Sequence, residues 1–412
     1  MLYTTVIVRL DNVKVYAPQY CRCCNPTIIM ILLALKMLIG NRTSCIGVIF
    51  GVFLATLLIS QQSAIFLGLV TRSYRMLTDI PAPTIWVVDP ATESDDRFRA
   101  MPESHLDLVR STPGVEWAVP IGSSDISLIT PGGVFEVCKL YGIDDATLIG
   151  APAEMIEGQV KDLRRQGGVI VDVYSANSLL ATKNADGTKT PLKLGDEIEI
   201  NNRRAVVVGI CQITQGFYPL PILFSTYSEF KLFNPFLSNP VAFIATKTVP
   251  DTNAEQVAKK INTYTGLNAL TTEQFKQKIV NSFLRTGILI NFGLSVALGI
   301  IIGFSIAGQI FYSMTLENLM YYALIKAVGG TKGMIFNMII TQALLAGVIG
   351  FSLGIGATLL WGKAIKGTTL AFLFPWQLLL FTGAIVLLIC LFTATLSIRK
   401  VSRADPKVLM GN

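Results

Sequence analysis

Few side chains in this 412-residue sequence have the types and spacing that chemistry requires. Cys21, Cys23 and Cys24 could bind a metal ion, but a zinc site usually needs a second ligand pair at a suitable distance. The next cysteine along the chain is Cys45, and the single histidine is His105. The sequence therefore predicts no metal site.

A hydrolytic site is not indicated either. A nucleophile–base pair would have to use His105, which stands in the polar run ESHLD. No serine lies in the G-x-S-x-G pattern of a nucleophile elbow. The acidic pairs Asp144-Asp145 and Glu154/Glu157 are typical of a solvated surface. We therefore predict that the chain is not an enzyme and has no catalytic residues.

Four segments are long enough and apolar enough to cross a membrane. The chain is 51% hydrophobic and only 15% charged, whereas a soluble domain carries about 25% charged residues. A bilayer core about 30 Å thick needs about 20 apolar helical residues. Residues 46–70, 286–312, 334–361 and 376–398 meet this length and contain no Asp, Glu, Lys, Arg or His. We predict four transmembrane helices.

The basic residues near these segments predict their orientation, because lysine and arginine are enriched on the cytoplasmic side. On one predicted side, the segments next to the spans carry eleven basic residues: Arg9, Lys14, Arg22, Lys36, Arg42, Lys326, Lys332, Arg399, Lys400, Arg403 and Lys407. On the opposite side, the short link after span three carries only Lys363 and Lys366. Both termini should therefore be cytoplasmic, and the net charge of +7 mostly reflects this bias. No basic stripe is interleaved with aromatics, so we expect no nucleic-acid partner.

The predicted fold is an α-helical membrane protein with four transmembrane helices and a mixed α+β extracytoplasmic domain. The predicted segments, in order, are a cytoplasmic N-terminal segment with an amphipathic helix (1–45), span one (46–70), the extracytoplasmic domain with a stalk (71–285), span two (286–312), a cytoplasmic coupling helix (313–333), span three (334–361), a short outer loop (362–375), span four (376–398) and a cytoplasmic tail (399–412).

Residues 71–285 alternate strand-like and helix-like patterns. The runs at 85–90 and 115–122 predict strands, and residues 191–211 predict two strands about a turn at Asn201-Asn202. Residues 251–266 predict a helix, with Asp251 or Thr252 as its cap and Gly266 as its end. Residues 271–287 are predicted to run without a break into span two. Cys138 and Cys211 fall in this domain, and a disulfide bond and two unpaired thiols both remain open.

Small and amide residues within the spans predict close helix packing. Glycines four residues apart let membrane helices approach closely, either within one chain or in a dimer. Three such pairs occur, one in each of spans one to three: Gly47/Gly51, Gly299/Gly303 and Gly350/Gly354. The amides Asn291, Gln309, Asn337 and Gln342 could form hydrogen bonds between helices.

A lysine-bearing helix is predicted between spans two and three. If the helix begins at Leu316, an apolar face includes Leu319, Met320, Ala323 and Leu324. The opposite face includes Glu317, Asn318, Tyr321 and Lys326, and Gly329-Gly330 ends the helix. This pattern alone suits a lipid surface and a protein groove equally well.

This stretch resembles the cytoplasmic segment of the FtsX-like, MacB-type permeases of ATP-binding-cassette (ABC) transporters. An E-x-x-x-x-x-A-L-x-K/R-A-x-G pattern stands before the third span in that family. Here it is formed by Glu317, Ala323, Leu324, Lys326, Ala327 and Gly329. The order of one span, a long outer domain and three further spans is similar too, over nearly the whole chain after Met30. The finer likeness is to the DevC-like permeases.

The resemblance implies a subunit that binds no cofactor itself and depends on a separate ABC ATPase subunit, which uses the ATP. The chain indeed lacks the G-x-x-x-x-G-K-[ST] phosphate loop. The residues implied in ATPase coupling are Glu317, Tyr321, Lys326, Gly329 and Gly330. The outer domain would resemble the MacB-like periplasmic core domain and would move with ATP hydrolysis, which is transport by mechanotransmission.

Further partners implied by the resemblance are a second permease copy in a homodimer, a membrane-fusion protein, an outer-membrane channel and membrane lipid. The expected location is the bacterial inner membrane. The expected function is export, with two alternatives: a lipoprotein-releasing permease, or an FtsX-type signalling scaffold that activates a cell-wall hydrolase. A simple membrane-anchored receptor would not be expected to carry a coupling helix.

Overall fold

The computed structural model describes residues 8–10, 13–15, 26–40, 42–183, 186–216, 220–327, 329–365 and 370–403. The chain divides into two compact units. The helical unit comprises Met1–Ala64, Phe292–Lys366 and Phe374–Asn412. The sheet unit comprises Ile65–Asn291 and Gly367–Leu373.

Twelve α-helices lie within the described residues. They are α1 (Pro26–Gly40), α2 (Arg42–Ser73), α3 (Arg75–Asp79), α4 (Ser104–Arg110), α5 (Val173–Asn177), α6 (Tyr227–Phe233), α7 (Ala254–Thr265), α8 (Thr272–Arg285), α9 (Ile288–Glu317), α10 (Leu319–Ala327), α11 (Lys332–Ala364) and α12 (Trp376–Arg403).

Four of these helices are long and apolar enough to cross a membrane. The candidate spans are Arg42–Ser73 in α2, Ile290–Glu317 in α9, Gly333–Ala364 in α11 and Trp376–Thr395 in α12. In the helical unit they share one apolar core with α1 and α10. This core includes Val52, Phe311, Tyr322, Ile339 and Ala346.

Fourteen strands lie within the described residues. They are β1 (Val8–Leu10), β2 (Val13–Val15), β3 (Ile85–Val88), β4 (Val115–Ile129), β5 (Phe135–Ile143), β6 (Glu154–Gly158), β7 (Gly168–Asp172), β8 (Thr182–Lys183), β9 (Lys189–Thr190), β10 (Glu197–Ile200), β11 (Arg203–Gln212), β12 (Ile222–Thr226), β13 (Phe243–Thr248) and β14 (Asn268–Thr271).

A ten-stranded mixed sheet forms the body of the sheet unit. Its order is β10-β11-β7-β12-β5-β4-β13-β3-β14, and β6 pairs with β11. The end of β4 also pairs with β10, through Ile200 opposite Leu128. The six strands from β10 to β4 in this order therefore form a closed ring. Strands β13, β3 and β14 extend the sheet from the first half of β4.

The sheet is buried on both faces, because side chains alternate between two apolar cores. In β3, Ile85 and Val87 lie in the first core, while Trp86 and Val88 lie in the second. Helices α4 and α7 cover the first face, for example with Val109 and Ile261. Helices α3 and α8 cover the second face, and there Met76 and Leu77 share a core with Phe275 and Ile279.

Two chain segments connect the sheet unit to candidate spans, and both contain a break. Helix α2 ends at Ser73 and α3 begins at Arg75. Helix α8 ends at Arg285, and Gly287 adopts φ 78° before α9 begins at Ile288. The prediction of one uninterrupted helix from 271 into span two is therefore wrong. A positive φ is accessible to glycine at no steric cost, which explains why the break falls there.

Most predicted strands and helices of the sheet unit have counterparts in the structure. The turn at Asn201-Asn202 joins β10 to β11, and both residues have positive φ. Helix α7 ends at Gly266 with φ 70°, as predicted. Its N-cap was assigned incorrectly, because the side chain of Asn253, rather than Asp251 or Thr252, accepts a hydrogen bond from the Glu255 amide.

Candidate coupling site

Helix α10 is bounded by a polar residue at its start and by two glycines at its end. The backbone and side-chain amides of Asn318 both donate to the Met314 carbonyl, at 3.1 and 2.8 Å. At the other end Gly329 has φ 98°, and the Gly330 amide donates to the Ile325 carbonyl at 2.8 Å. A Cβ on Gly330 would lie 2.6 Å from the Ile325 side chain. The two glycines are therefore needed for different reasons, one for its φ and one for its close approach.

The buried side of α10 differs from the predicted one. Tyr322 and Ala323 are buried, and Asn318 just before the helix is buried as well. Met320 and Leu324, which the pattern places on the apolar face, are exposed. The assignment of Asn318 to the outer face is thus wrong. Apolar side chains on a membrane protein are favourable against lipid as well as against other helices, so hydrophobicity does not distinguish the two sides.

The five predicted coupling residues lie along or beside α10. Glu317 is exposed, and its carboxylate accepts a hydrogen bond from the Ser44 hydroxyl at 3.1 Å. Tyr321 is 45% exposed, and Lys326 is half-buried. Gly329 and Gly330 form the turn before α11. Glu317 and Tyr321 therefore present polar groups on the exposed side of the segment, whereas Lys326, four residues after Tyr322, lies half-buried near the end of α10.

One buried side chain joins α10 to two other helices. Gln342 of α11 is completely buried. Its Oε1 accepts a hydrogen bond from the Tyr322 hydroxyl at 3.0 Å, and its Nε2 donates to the Ala34 carbonyl of α1 at 3.1 Å. Of the four amides singled out in the spans, Asn291, Gln309 and Asn337 are exposed. Tyr322 was missed because an aromatic residue in an apolar stretch carries no distinct signal.

The six glycines predicted to mediate packing all face a neighbouring helix of the same chain. The Cβ of an alanine at these positions would lie 3.0–3.1 Å from Ile310 (at Gly47), Ala307 (at Gly51) and Leu58 (at Gly299), and 2.6–2.8 Å from Ile49 (at Gly350) and Thr56 (at Gly354). At Gly303 it would overlap with the Cβ of Ala55. Helix α2 thus packs closely against both α9 and α11. Ser60 and Thr358 add a buried hydrogen bond of 2.7 Å between α2 and α11.

The sheet unit contains a buried cluster of charges next to α3. Arg75 at the start of α3 lies 3.8 Å from the Asp95 carboxylate, measured from Nε to Oδ2, and donates to the Tyr141 hydroxyl at 3.3 Å. Lys139 of β5 lies 2.6 Å from the Asp96 carboxylate. Arg75, Asp95 and Lys139 are all buried. The sequence does not reveal this cluster, since its members come from three separate stretches of the chain, at 75, 95–96 and 139–141, and only the fold brings them together.

Burial perturbs the titration of this cluster. Removal from water raises the pKa of Asp95 to about 6, because it disfavours the ionised carboxylate. The neighbouring Asp96 carboxylate adds to the rise, whereas Arg75 and Lys139 oppose it. The cluster therefore changes its charge in a mildly acidic medium.

The remaining chemical candidates have structural surroundings. Asp144 accepts hydrogen bonds from Thr147 within a turn, and Asp145 accepts two from Ser228. Cys138 and Cys211 are free and buried, and burial raises the pKa of both thiols. Among the residues that the structure describes, no group of three His, Cys, Asp or Glu side chains is arranged to hold a metal ion. Cys21, Cys23 and Cys24 lie outside the described residues.

Comparisons with known proteins give consistent matches over both units. Residues 43–264 match the family described as the MacB-like periplasmic core domain, and residues 293–406 match the FtsX-like permease C-terminal family. The first match spans more than half of the chain. No curated protein matches the chain.

The solved structures that are similar to the chain include two periplasmic or extracellular regions. One is the periplasmic region of MacB from Actinobacillus actinomycetemcomitans, with 18% identity and a TM-score of 0.37, covering 50% of this chain and 96% of that one. The other is the extracellular domain of YknZ, described as a noncanonical ABC-type transporter from Gram-positive bacteria. It has 13% identity and a TM-score of 0.33, and the match covers 45% of this chain and 98% of that one.

The four long apolar helices and the mixed α/β sheet unit define a multi-pass membrane protein with an extracytoplasmic domain. The chain belongs to the FtsX-like permeases that carry a MacB-like periplasmic core domain.

Proposed function

We propose that this permease converts ATP hydrolysis by a separate ATPase subunit into movement of its extracytoplasmic domain, and that this movement drives export. The permease belongs to an ABC transporter of the MacB/FtsX type, a class that implies an ATPase partner. The observation that carries the proposal is the two-sided construction of α10. One side of this helix is fixed in the helical core, and the other presents a patterned surface.

The outward side of α10 has the composition of a protein interface. Tyr321 and Met320 are exposed there, and aromatic residues and methionine are enriched at the centres of interfaces. Lys326 has no ion-pair partner among the described residues, although a cation at this position could pair with a carboxylate of the ATPase. The inward side is held by the Tyr322–Gln342 hydrogen bond. A push on such a helix would be transmitted to the core rather than absorbed by rotation of the helix.

The packing within the sheet unit supports the proposal that movement of the spans reaches the extracytoplasmic domain. Helices α3 and α8, which connect to α2 and α9 along the chain, share one apolar core on the same face of the sheet. The Lys276 ammonium of α8 also lies 4.9 Å from the centre of the Tyr74 ring, at the break between α2 and α3. A relative movement of α2 and α9 would therefore strain a single core, which suits a lever.

On this proposal the chain lies in a bacterial inner membrane with both termini in the cytoplasm. The excess of basic residues beside the predicted cytoplasmic ends supports that orientation. The chain would work as a homodimer, bind no cofactor itself, and act beside a membrane-fusion protein in the manner of the DevC-like permeases. The proteins that copurify with the intact complex would separate export from lipoprotein release and from activation of a hydrolase.

Charge reversal at Lys326 tests the coupling assignment. We expect Lys326→Glu to weaken capture of the ATPase on the order of tenfold, because an unfavourable charge pair at an interface costs about 1.4 kcal/mol or more. The measurement is the amount of ATPase that copurifies with the tagged permease, together with its rate of ATP hydrolysis in lipid nanodiscs.

Lys363→Glu is the matched control, because Lys363 is exposed near the other end of α11 and is predicted on the opposite side of the membrane. Both variants should insert into the membrane normally. If Lys326→Glu captures the ATPase as well as the wild type and leaves the rate of hydrolysis unchanged, α10 is not the coupling helix.

A further inference from the structure

Gln342 occupies a position where a polar side chain requires a specific reason. It lies within a candidate span, Gly333–Ala364, and is completely buried. A buried amide is costly unless its donors and its acceptor are paired. Here both polar atoms are used, the oxygen by Tyr322 of α10 and the nitrogen by Ala34 of α1. A single side chain thus binds three helices together.

The direction of each hydrogen bond in this group is fixed. The Ala34 carbonyl can only accept a hydrogen bond, so the amide nitrogen of Gln342 must face it. The amide oxygen then faces Tyr322 and accepts from its hydroxyl, which stays protonated because burial raises its pKa. The Ala34 carbonyl can accept this bond in addition to a helical one, because a carbonyl has two lone pairs. Rotation of the amide by half a turn would place its oxygen against the Ala34 carbonyl and break the bond to α1.

The apolar surroundings alone would not fix the helices in one arrangement. Leu38, Tyr322, Ile335 and Ile339 lie in one buried core, and apolar contacts tolerate sliding better than directional bonds do. In a medium of low dielectric constant, a fully paired polar group is strengthened and specifies one arrangement. The hydrogen bonds therefore make α10 and α1 neighbours with a defined register.

We propose that Gln342 is the positioning residue that makes α1 move together with α10, so that displacement of α10 is passed to α1 and to the start of α2. Helix α2 begins two residues after α1 ends. This inference rests on the proposed function, in which the ATPase displaces α10. It adds a route to span one that does not require span two to move first.

Hydrogen–deuterium exchange of the intact complex tests this route without knowledge of the substrate. The tagged permease is isolated with its bound ATPase, and exchange is compared with and without AMP-PNP, a non-hydrolysable ATP analogue. In the wild type we expect AMP-PNP to change the exchange of both α10 and α1. In Gln342→Met, which keeps the side-chain volume but removes both hydrogen bonds, the change in α1 should be lost while that in α10 persists.

Tyr322→Phe is the second variant, since it removes only the hydroxyl. If Gln342→Met yields no intact complex, the loss of the α1 response in Tyr322→Phe is the test. Asn337→Leu is the control, because it removes an exposed amide from the same helix and should behave like the wild type. The nucleotide-induced difference is a readout that a merely structural role would leave intact, since a loosened helix exchanges faster in both states.

Different results would contradict the role of Gln342 and the coupling role of α10. If α1 responds in Gln342→Met and Tyr322→Phe as it does in the wild type, or if only α10 responds in the wild type, the role of Gln342 is wrong and α10 still couples. If α10 shows no response in the wild type with the ATPase bound, the coupling assignment itself is wrong, and the role of Gln342 falls with it.

Discussion

Buried charges hold the residues that follow span one against the sheet. Arg75 lies at the first position of α3, and its guanidinium reaches Asp95, Tyr141 and the Thr214 carbonyl. Removing one partner of a buried ion pair costs more than the pair itself contributes, because the remaining charge is left without compensation. This cluster therefore fixes the point where movement of α2 would enter the extracytoplasmic domain.

Asp95 should give this domain a measurable pH dependence. Its pKa is about 6 in the folded chain, above its ordinary value of 3.8, so the folded state binds more protons than the unfolded state between these values. The Asp95 contribution to stability therefore increases as the pH falls through 6. Between pH 7 and pH 5, the wild type should gain roughly 1 kcal/mol of unfolding free energy relative to Asp95→Asn. Urea unfolding, followed by tryptophan fluorescence to which the buried Trp86 contributes, measures this difference.

The groups that face Asp95 are Asp96, Arg75 and Lys139, and all three are kept in both proteins. Asp107→Asn, at an exposed position of α4, is the control and should follow the wild type. Parallel pH profiles for the wild type and Asp95→Asn would show that Asp95 does not titrate near pH 6.

At the residue scale, the sequence predicts a coupling segment but not the buried side chains that hold α10. Glu317 and Lys326 are predicted because they stand in a family pattern, and Tyr321 because it falls on the same predicted polar face. Tyr322 was not found, and the buried charges of Arg75 and Asp95 were not paired, because both depend on contacts between distant parts of the chain. Gln342 was visible as an amide in an apolar span, but its partners were not.

At the scale of the helices, the close packing of α2 against α9 and α11 depends on glycines, which have no side chain at the contact. Helix α2 approaches α9 at Gly303 and α11 at Gly354 so closely that a Cβ at either position would overlap with its neighbour. Without a hydrophobic effect between membrane helices, such close contacts provide the van der Waals energy that holds them together.

Gly303→Ala should destabilise the helical unit. The added methyl group would collide with Ala55, and overpacking of this kind costs about 1 to 3 kcal/mol. Gly293→Ala is the matched control on the same helix, because nothing lies within 4 Å of its Cβ. The control should be neutral or stabilising, since alanine favours a helix over glycine by about 1 kcal/mol. Thermal unfolding in lipid nanodiscs compares the two variants, and equal midpoints would contradict the packing described here.

The existence of the long helices could be predicted from the sequence, but their ends could not. A charge-free run marks the part of a helix that needs an apolar solvent, whereas α2, α9 and α11 extend beyond those runs. The break between α8 and α9 did have a signal in Gly287, which the amphipathic pattern of 271–285 obscured. The inner face of α10 could not be predicted, because lipid and protein are equally apolar neighbours for Met320 and Leu324.

At the scale of the whole molecule, the order of the predicted segments was the main basis for predicting the fold class. One span, a long mixed α/β domain and three further spans could be read from composition and length. The strand order could not, because β4 pairs with β10 and β13 through contacts between distant positions. The family matches cover residues 43–264 and 293–406, so the first includes span one as well as most of the extracytoplasmic domain.

If α10 receives the ATPase, a photoreactive group on the exposed face of α10 should form a cross-link to that subunit. A photoreactive phenylalanine analogue replaces Tyr321 in the intact complex, and Leu360, which is 69% exposed near the other end of α11, is replaced as a control. Irradiation should join the permease to an ATP-binding subunit from position 321 and not from position 360. An ATPase that copurifies but forms no adduct from position 321, or forms one from position 360, would contradict the account.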